Sequence, residues 1–391
     1  MNALPTATPE EVGLSSARLA ALGAVLDQRI AAGHVPGAVC LVARHGRVAW
    51  HRAFGRRDPA AADPMRADTI FRIYSMTKPI VSVGVMMLME EGRLLLDDPI
   101  GRHIPALGTV LVARADGGGT EPPVRPITVQ DLLRHTSGLT YEFRGDGPVH
   151  KAYVEARTAR LRQTNADQVA TLAGLPLLHQ PGTRWEYSRS TDVLGRLIEV
   201  VSGQTLGAFV AERITGPLGM ADTAFHVPPA GHARLAESFP KDPETGAEVA
   251  LLAVREPPMF ESGGGGMVGT AADYARFAQM LLNGGRLRET RLLGRKTVEL
   301  MTADHLGSVP GPPDLLPPGH GFGLGFAMRR DRGMAPTPGS PGMYFWHGMA
   351  GTTFWVDPAE GLVVVFMIQA PGQRAGYRAL LRDMVYAAIA D

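Results

Sequence analysis

Ser75-Met76-Thr77-Lys78 sets an amine three residues after a hydroxyl, and Pro79 follows at once. Proline has no N–H, so a helix accepts it only in the first turn, where amides lack partners anyway. A helix running from here to about Met89 must therefore begin no earlier than about Met76. That places Ser75 at the N-cap, its hydroxyl and amide at the positive end of the helix dipole. Residues three apart share a helix face, with Cβ atoms roughly 5–6 Å apart, so Lys78 can reach Ser75 Oγ. Desolvation beside a helix N-terminus disfavours an ammonium, and a neutral amine can take the serine proton. The tetrad has the parts of a nucleophilic Ser–Lys pair.

Lysine is scarce in this chain. Of 39 basic residues only Lys78, Lys151, Lys241 and Lys296 are lysines, so each is a candidate base where an arginine would stay charged. Ser238-Phe239-Pro240-Lys241 repeats the spacing, but the turn sequence Asp242-Pro243-Glu244-Thr245-Gly246 follows it, with no helix to hold both side chains on one face. It reads as a loop. Gly264-Gly265-Gly266-Met267-Val268-Gly269 matches a dinucleotide fingerprint without the βα unit that would make it one. It reads instead as backbone approaching the cleft and opening a helix at Thr270, with Asp273 three residues on as in a capping box. No G-x-S-x-G elbow occurs, which argues against an α/β-hydrolase. The twelve histidines show no metal-ligand spacing, and a single cysteine, Cys40, excludes a Cys-rich zinc site. No metal and no cofactor are expected.

The elements that must position the pair follow from periodicity. Ser15–Gly33 reads as an amphipathic helix, and Ala38–Arg44 with Arg47–Ala53 as a hairpin turning at His45-Gly46. Ile73–Met89 is too long for a strand and reads as a buried helix. Helical patterns fill the middle at Val129–Arg134, Ala166–Ala173, Asp192–Val201, Leu206–Ile214 and Ala271–Leu282. Pro- and Gly-rich connectors run through 117–126, 227–231 and 308–321, and those at 140–165 and 305–320 are expected to rim the cleft. Strand patterns return at Leu324–Arg329, Met343–Trp346, Thr352–Val356 and Leu362–Ile368, and a helix over Arg374–Ala390 follows. Strands near both ends around a helical middle predict an α+β fold: an antiparallel sheet formed from both termini and flanked by helices, with an inserted, mostly helical domain. The expected boundaries are 1–90 with 250–391 for the sheet domain and 91–249 for the helical one, the cleft lying between them.

The 391 residues carry 45% hydrophobic and 20% charged side chains and a net charge of +1, which excludes a disordered chain and offers no basic face for nucleic acid. MNALPTATPEEVG lacks the basic start and apolar run of a secretory signal, and no apolar run reaches the roughly 18 residues of a membrane span. A cytoplasmic protein with a small-molecule partner, and neither nucleic acid nor membrane, is expected. Its oligomeric state is left open.

Further segments occur in a fixed order between about Leu14 and Gln369. After the tetrad come Ile127-Thr128-Val129-Gln130-Asp131-Leu132-Leu133-Arg134-His135-Thr136-Ser137-Gly138-Leu139 and Pro181-Gly182-Thr183-Arg184-Trp185-Glu186-Tyr187-Ser188. Pro217-Leu218-Gly219-Met220, the glycine-rich Gly264–Gly285, and Trp346-His347-Gly348 with Gly351-Thr352 complete the set. Together they resemble the serine β-lactamase and penicillin-binding superfamily in its class C-like branch, and most of all the family VIII carboxylesterases, which hydrolyse esters on that fold.

The resemblance implies Ser75 as nucleophile, Lys78 as its base and Tyr187 as the tyrosine of the Y-x-N motif, passing a proton to and from the leaving group. Trp346, His347 and Gly348 fall where β-lactamases carry K-T-G on the edge strand beside the nucleophile, and would contact substrate. The Met349 amide would then join that of Ser75 as an oxyanion hole. His135 is implied to be structural, while Tyr141, Phe143 and Trp185 read as core or pocket aromatics. Two positions depart from the family pattern: Arg189 replaces the Asn of Y-x-N and Trp346 the Lys of K-T-G. Without that lysine the site lacks the cation that holds a β-lactam carboxylate, and tryptophan offers an apolar wall suited to a neutral ester. The expectation is a serine carboxylesterase for short-chain acyl esters. A β-lactamase, a D-amino-acid peptidase or an acyltransferase on the same fold are the alternatives.

Overall fold

The computed structural model describes residues 3–61, 63–312 and 314–391; the first two residues, Ala62 and Pro313 of the 308–321 connector lie outside them. Seven strands form one antiparallel sheet: β1 Gly37–Arg44, β2 Arg47–Gly55, β3 His320–Phe322, β4 Ala327–Arg329, β5 Tyr344–His347, β6 Thr353–Asp357 and β7 Leu362–Met367. Their order is β2-β1-β7-β6-β5-β4-β3, so early and late segments of the chain meet where β1 pairs with β7, Cys40 opposite Phe366. Every residue of β1 and β7 is buried. That is why GAVCLVAR and LVVVFM read as unbroken apolar runs: both faces of the sheet are covered.

The helices are α1 Ser16–Ala31, α2 Thr77–Glu90, α3 Val129–Leu133, α4 Pro148–Glu155, α5 Asn165–Ala173, α6 Ser190–Ser202, α7 Leu206–Val210, α8 Ala271–Leu282, α9 Arg295–Thr302 and α10 Arg374–Tyr386. α1 and α10 lie together on one face of the sheet, where Tyr377 stacks on Phe366 and Arg382 covers Trp355. α8 covers the other face through Tyr274 on Phe354. Between α2 and α8 the longer regular elements are the helices α3 to α7, joined by long irregular connections. α2 is buried from Thr77 to Leu88 and packs against α6. The expected α+β architecture is the one observed.

Four local expectations are corrected. The helix predicted from Ile73 starts at Thr77, with Met76 as N-cap and a 3₁₀ turn over Tyr74–Met76 before it. Ser75 thus sits one residue outside the N-cap, and Pro79 is the third helical residue, still among those whose amides lack partners. The strand predicted at Leu324–Arg329 is a hairpin, β3 and β4, turned by Gly323–Phe326. The helix predicted through Ile214 widens after Val210 into a π-turn over Ala211–Thr215. The last helix ends at Tyr386. Two short helices, α4 and α9, stand where no helix was expected. Among the described residues no single helix is long and apolar enough to cross a membrane.

Candidate active site

Ser75 is held in a turn pinned from three sides. Tyr74 takes a left-handed φ of 44°, and its hydroxyl accepts the Leu252 N–H at 2.9 Å. Tyr274 donates to the Met76 carbonyl at 2.9 Å, and Thr352 Oγ1 donates to that of Ile73 at 3.3 Å. A non-glycine residue at positive φ is strained and persists only where its surroundings hold it. The strain lies immediately before Ser75. Lys78, one turn along α2, is buried, and its Nζ has three oxygen neighbours: Ser75 Oγ at 3.3 Å, Tyr141 Oη at 3.0 Å and the Gly264 carbonyl at 2.6 Å. None is a carboxylate.

Tyr187 lies just before α6, with Lys78 Nζ 4.4 Å from its ring centre. The phenol oxygen that hydrogen-bonds Nζ is that of Tyr141. Tyr187 Oη instead accepts from Trp346 Nε1 at 3.4 Å. Tyr141 is buried, and burial together with the charge of Asp192 holds its phenol well above the usual tyrosine range, so it stays neutral. Position 141 stands two residues beyond the His135–Leu139 segment. Sequence alone treated it as an aromatic wall because nothing in its spacing reveals the lysine 63 residues away.

The glycine run reaches the site as backbone. Gly264 offers its carbonyl to Lys78 and its N–H to Asp192 Oδ1 at 2.9 Å. A Cβ there would stand 2.9 Å from both Tyr141 Oη and Asp192 Oδ2, so only glycine allows this approach. Asp192 also accepts from Ser262 Oγ at 2.6 Å. Arg189, at the family's Asn position, is buried. It donates to Glu142 at 2.7 Å and Asp192 at 3.4 Å, with its guanidinium 4.8 Å from the Tyr141 ring centre.

Trp346, His347 and Gly348 end β5 next to the Ser75 turn. β5 is not the sheet edge the family pattern suggests, because β4 and β3 lie beyond it. β4 pairs only with Tyr344 and Phe345, so Trp346 and His347 run past its end. Trp346 is buried against Tyr187 and Phe322 as an apolar wall. His347 Nδ1 lies 2.7 Å from Thr353 Oγ1, its cross-strand neighbour, and burial holds its imidazole well below the usual histidine range, so it is neutral. Gly348 donates to the Thr352 carbonyl at 2.7 Å and accepts from Arg378 at 3.2 Å. Met349 is half exposed beyond it. Among the described residues neither the Ser75 nor the Met349 N–H is taken by a backbone carbonyl.

His135 is buried among Trp185, Tyr187 and Phe322, with Nδ1 3.2 Å from Ser188 Oγ. Burial holds it well below the usual histidine range. It supports the Tyr187 ring and does not touch Ser75 by any hydrogen bond. The second S-x-x-K is a loop, as expected, with Lys241 exposed and Asp242 closing a turn onto Glu244 and Thr245. Phe143 stacks on Tyr141 at 4.8 Å while remaining largely exposed, which puts it at the mouth of the cleft.

Comparison with known proteins agrees with this geometry. The family model described as Beta-lactamase matches residues 22–387. Esterase EstB of Burkholderia gladioli is 37% identical over 97% of this chain and 98% of its own. A lovastatin esterase of Penicillium rubens is 31% identical over 70% of each. Among solved structures, EstCE1, described as a hydrolase with promiscuous acyltransferase activity, superposes with a TM-score of 0.79 at 29% identity, covering 94% of this chain and 98% of its own. A family match spanning nearly the whole chain, on a fold that sets a buried lysine against a serine at a helix start, leaves one assignment: the chain belongs to the beta-lactamase family and is a serine hydrolase of that fold.

Proposed function

We propose that this chain is a serine carboxylesterase of the family VIII type, hydrolysing short-chain acyl esters through an acyl-enzyme on Ser75. The observation that carries the reading is the setting of Lys78: buried, 3.3 Å from Ser75 Oγ, and in contact only with neutral oxygens. No carboxylate pairs with it, and its Nζ stands within reach of the Ser75 proton, the position a base must take. Ser75 Oγ attacks the ester carbonyl while its proton passes to Lys78 Nζ. The carbonyl oxygen becomes an alkoxide facing the Ser75 and Met349 amides, two fixed donors in a partly water-excluded site. Collapse breaks the bond to the alkoxy oxygen, which leaves with a proton delivered by Tyr187, and Tyr187 regains one from Lys78. Water then attacks the acyl carbonyl, losing a proton to the same groups, and that proton passes to Ser75 Oγ as the acyl–Ser75 bond breaks.

Trp346 supports an ester over a β-lactam or a D-amino-acid peptide, since an indole supplies no cation for a carboxylate. The test is direct. A fluorophosphonate or p-nitrophenyl butyrate should leave a covalent adduct on Ser75 by mass spectrometry, and Ser75→Ala should abolish turnover. Wild-type turnover by Ser75→Ala would sink the mechanism.

A second reading, acyl transfer to an alcohol, is favoured by one observation. Tyr141 and Tyr187, whose rings face Lys78, join Phe143, Trp346 and the fully buried Trp185 and Phe322 in one connected aromatic cluster. Such a cluster slows water and favours an apolar alcohol at the acyl-enzyme. Product partition between acid and new ester, with added butanol, separates the two.

A further inference from the structure

We propose that Arg189 is a positioning residue that aims the Lys78 amine at Ser75, acting through Tyr141 and the Gly264 peptide. The inference rests on the Ser75–Lys78 reading above. A neutral amine has two N–H bonds and one lone pair. Lys78 Nζ has three oxygen neighbours, and the one at Gly264, a carbonyl, can only accept. If Tyr141 Oη accepts the second N–H, the lone pair is left facing Ser75 Oγ, and the serine proton can move to it. If Tyr141 were instead to turn its O–H onto Nζ, the lone pair would be occupied and the base lost. The pair therefore works only when both other oxygens are held as acceptors.

One guanidinium touches the support of both. Arg189 lies 4.8 Å from the Tyr141 ring centre, which Phe143 also stacks on. Through Nη1 it meets Asp192, whose other oxygen accepts both the Gly264 N–H at 2.9 Å and Ser262 Oγ at 2.6 Å, and the Gly265 N–H of the peptide that carries the Gly264 carbonyl is held in turn by the Ser262 carbonyl at 3.2 Å. Through Nη2 it is anchored to Glu142, the residue following Tyr141. A buried Arg between two carboxylates is a poor stability device, because desolvation offsets most of the attraction. Geometry is the better account of it: a planar fork spans Glu142, Asp192 and an aromatic face at once, which a lysine ammonium cannot do. The family's asparagine is too short for that span.

The test compares Arg189→Lys, the double variant Arg189→Met with Glu142→Gln, Tyr141→Phe, and Arg189→Lys combined with Tyr141→Phe, all against wild type and Ser75→Ala. Turnover of p-nitrophenyl butyrate, the rate of fluorophosphonate labelling at Ser75 and the thermal midpoint are measured for each. Arg189→Lys should lose about 10–100-fold in kcat, since small misplacements at a base cost that much. Its labelling rate should fall in parallel, and its KM should stay within about twofold. The Arg189→Met, Glu142→Gln variant leaves no unpaired Glu142 charge and should lose at least as much, which decides the matter if the lysine variant folds poorly. In the Tyr141→Phe background the lysine substitution should cost less than it does alone, because the arm it acts through is already gone.

A folded Arg189→Lys or Arg189→Met, Glu142→Gln protein with wild-type kcat overturns the proposal, as do losses from Arg189→Lys and Tyr141→Phe that simply multiply. Ser75→Ala separates the two levels. If it keeps turnover, the underlying reading fails; if it is inactive while the Arg189 variants are unimpaired, only the positioning role fails.

Discussion

That Ser75, Lys78 and Tyr187 stand together was legible in the sequence, because a short motif and its ordered neighbours carry them. Tyr141 and the Gly264 carbonyl were not, since each reaches Lys78 from a segment far along the chain. A carbonyl has no residue-type signature at all. The same limit applies at Gly348, whose role is the absence of a side chain. A Cβ there would stand 2.6 Å from the Ile73 carbonyl oxygen and would also strike Thr352 Oγ1. Neither neighbour can yield: one is backbone of the Ser75 turn, and the other holds that turn by its hydrogen bond. Gly348→Ala should push the Met349 amide away from Ser75. Removal of one oxyanion donor typically costs about 10²–10³ in kcat, so a loss of that order is expected, with fluorophosphonate labelling slowed as far. A folded Gly348→Ala enzyme with wild-type kcat would show that the Met349 turn plays no part in the chemistry.

Elements were read well where burial or caps leave a periodic trace. Ser15 caps α1 by accepting the Arg18 N–H, and α8 spans the residues its pattern predicts, with Thr270 accepting from Asp273. α4 and α9 escaped notice because each is only eight residues long with three buried positions, too few to mark a period. α8 also shows where a local rule yields to tertiary context. The capping-box spacing of Thr270 and Asp273 predicts a carboxylate turned back onto Thr270, yet Asp273 instead accepts the Asp222 N–H at 2.9 Å and the Thr223 hydroxyl at 3.1 Å. Burial raises its carboxyl to about 6, against the pull of these bonds and of Arg276. A folded value above the unfolded one means the native state binds the extra proton. Stability from this group is therefore full below about pH 4 and is lost as pH rises through about 6, a difference on the order of 3 kcal/mol. Asp273→Asn keeps an acceptor for both donors and has no charge to bury. The thermal midpoint of wild type should fall relative to Asp273→Asn between pH 4 and pH 7, and a constant difference across that range would refute the assignment.

At the scale of the molecule, the groups of the proposed mechanism and its positioning residue are divided between two regions that share one core. Ser75 and Lys78 stand at the start of α2, while Tyr187 and Arg189 stand immediately before α6. A single buried apolar cluster runs from the sheet strands through α2 into α6 and α7. The distance from Lys78 to Tyr187 therefore depends on how closely α2 and α6 pack, and Gly84 faces that contact. A Cβ at Gly84 would lie 3.0 Å from Phe209 and 3.1 Å from Ile198, so side chains from α6 and α7 already fill the space a larger residue would need. Glycine inside a helix costs about 1 kcal/mol against alanine, a cost the close approach offsets. Gly84→Leu inserts a branched side chain into this seam without touching any catalytic group. Overpacking of this kind costs typically 1–3 kcal/mol, roughly a few degrees in the thermal midpoint of a chain this size. Because the two helices carry opposite halves of the site, the wedge should also lower kcat by about tenfold through displacement of Tyr187 from Lys78, a misplacement effect of the usual size. A compensating Phe209→Ala, which empties the space beside the new side chain, should restore both the midpoint and kcat in the Gly84→Leu background. If stability returns and kcat does not, or if Gly84→Leu unfolds in two separate transitions, the two regions are not joined through this seam and the site is aligned by other contacts.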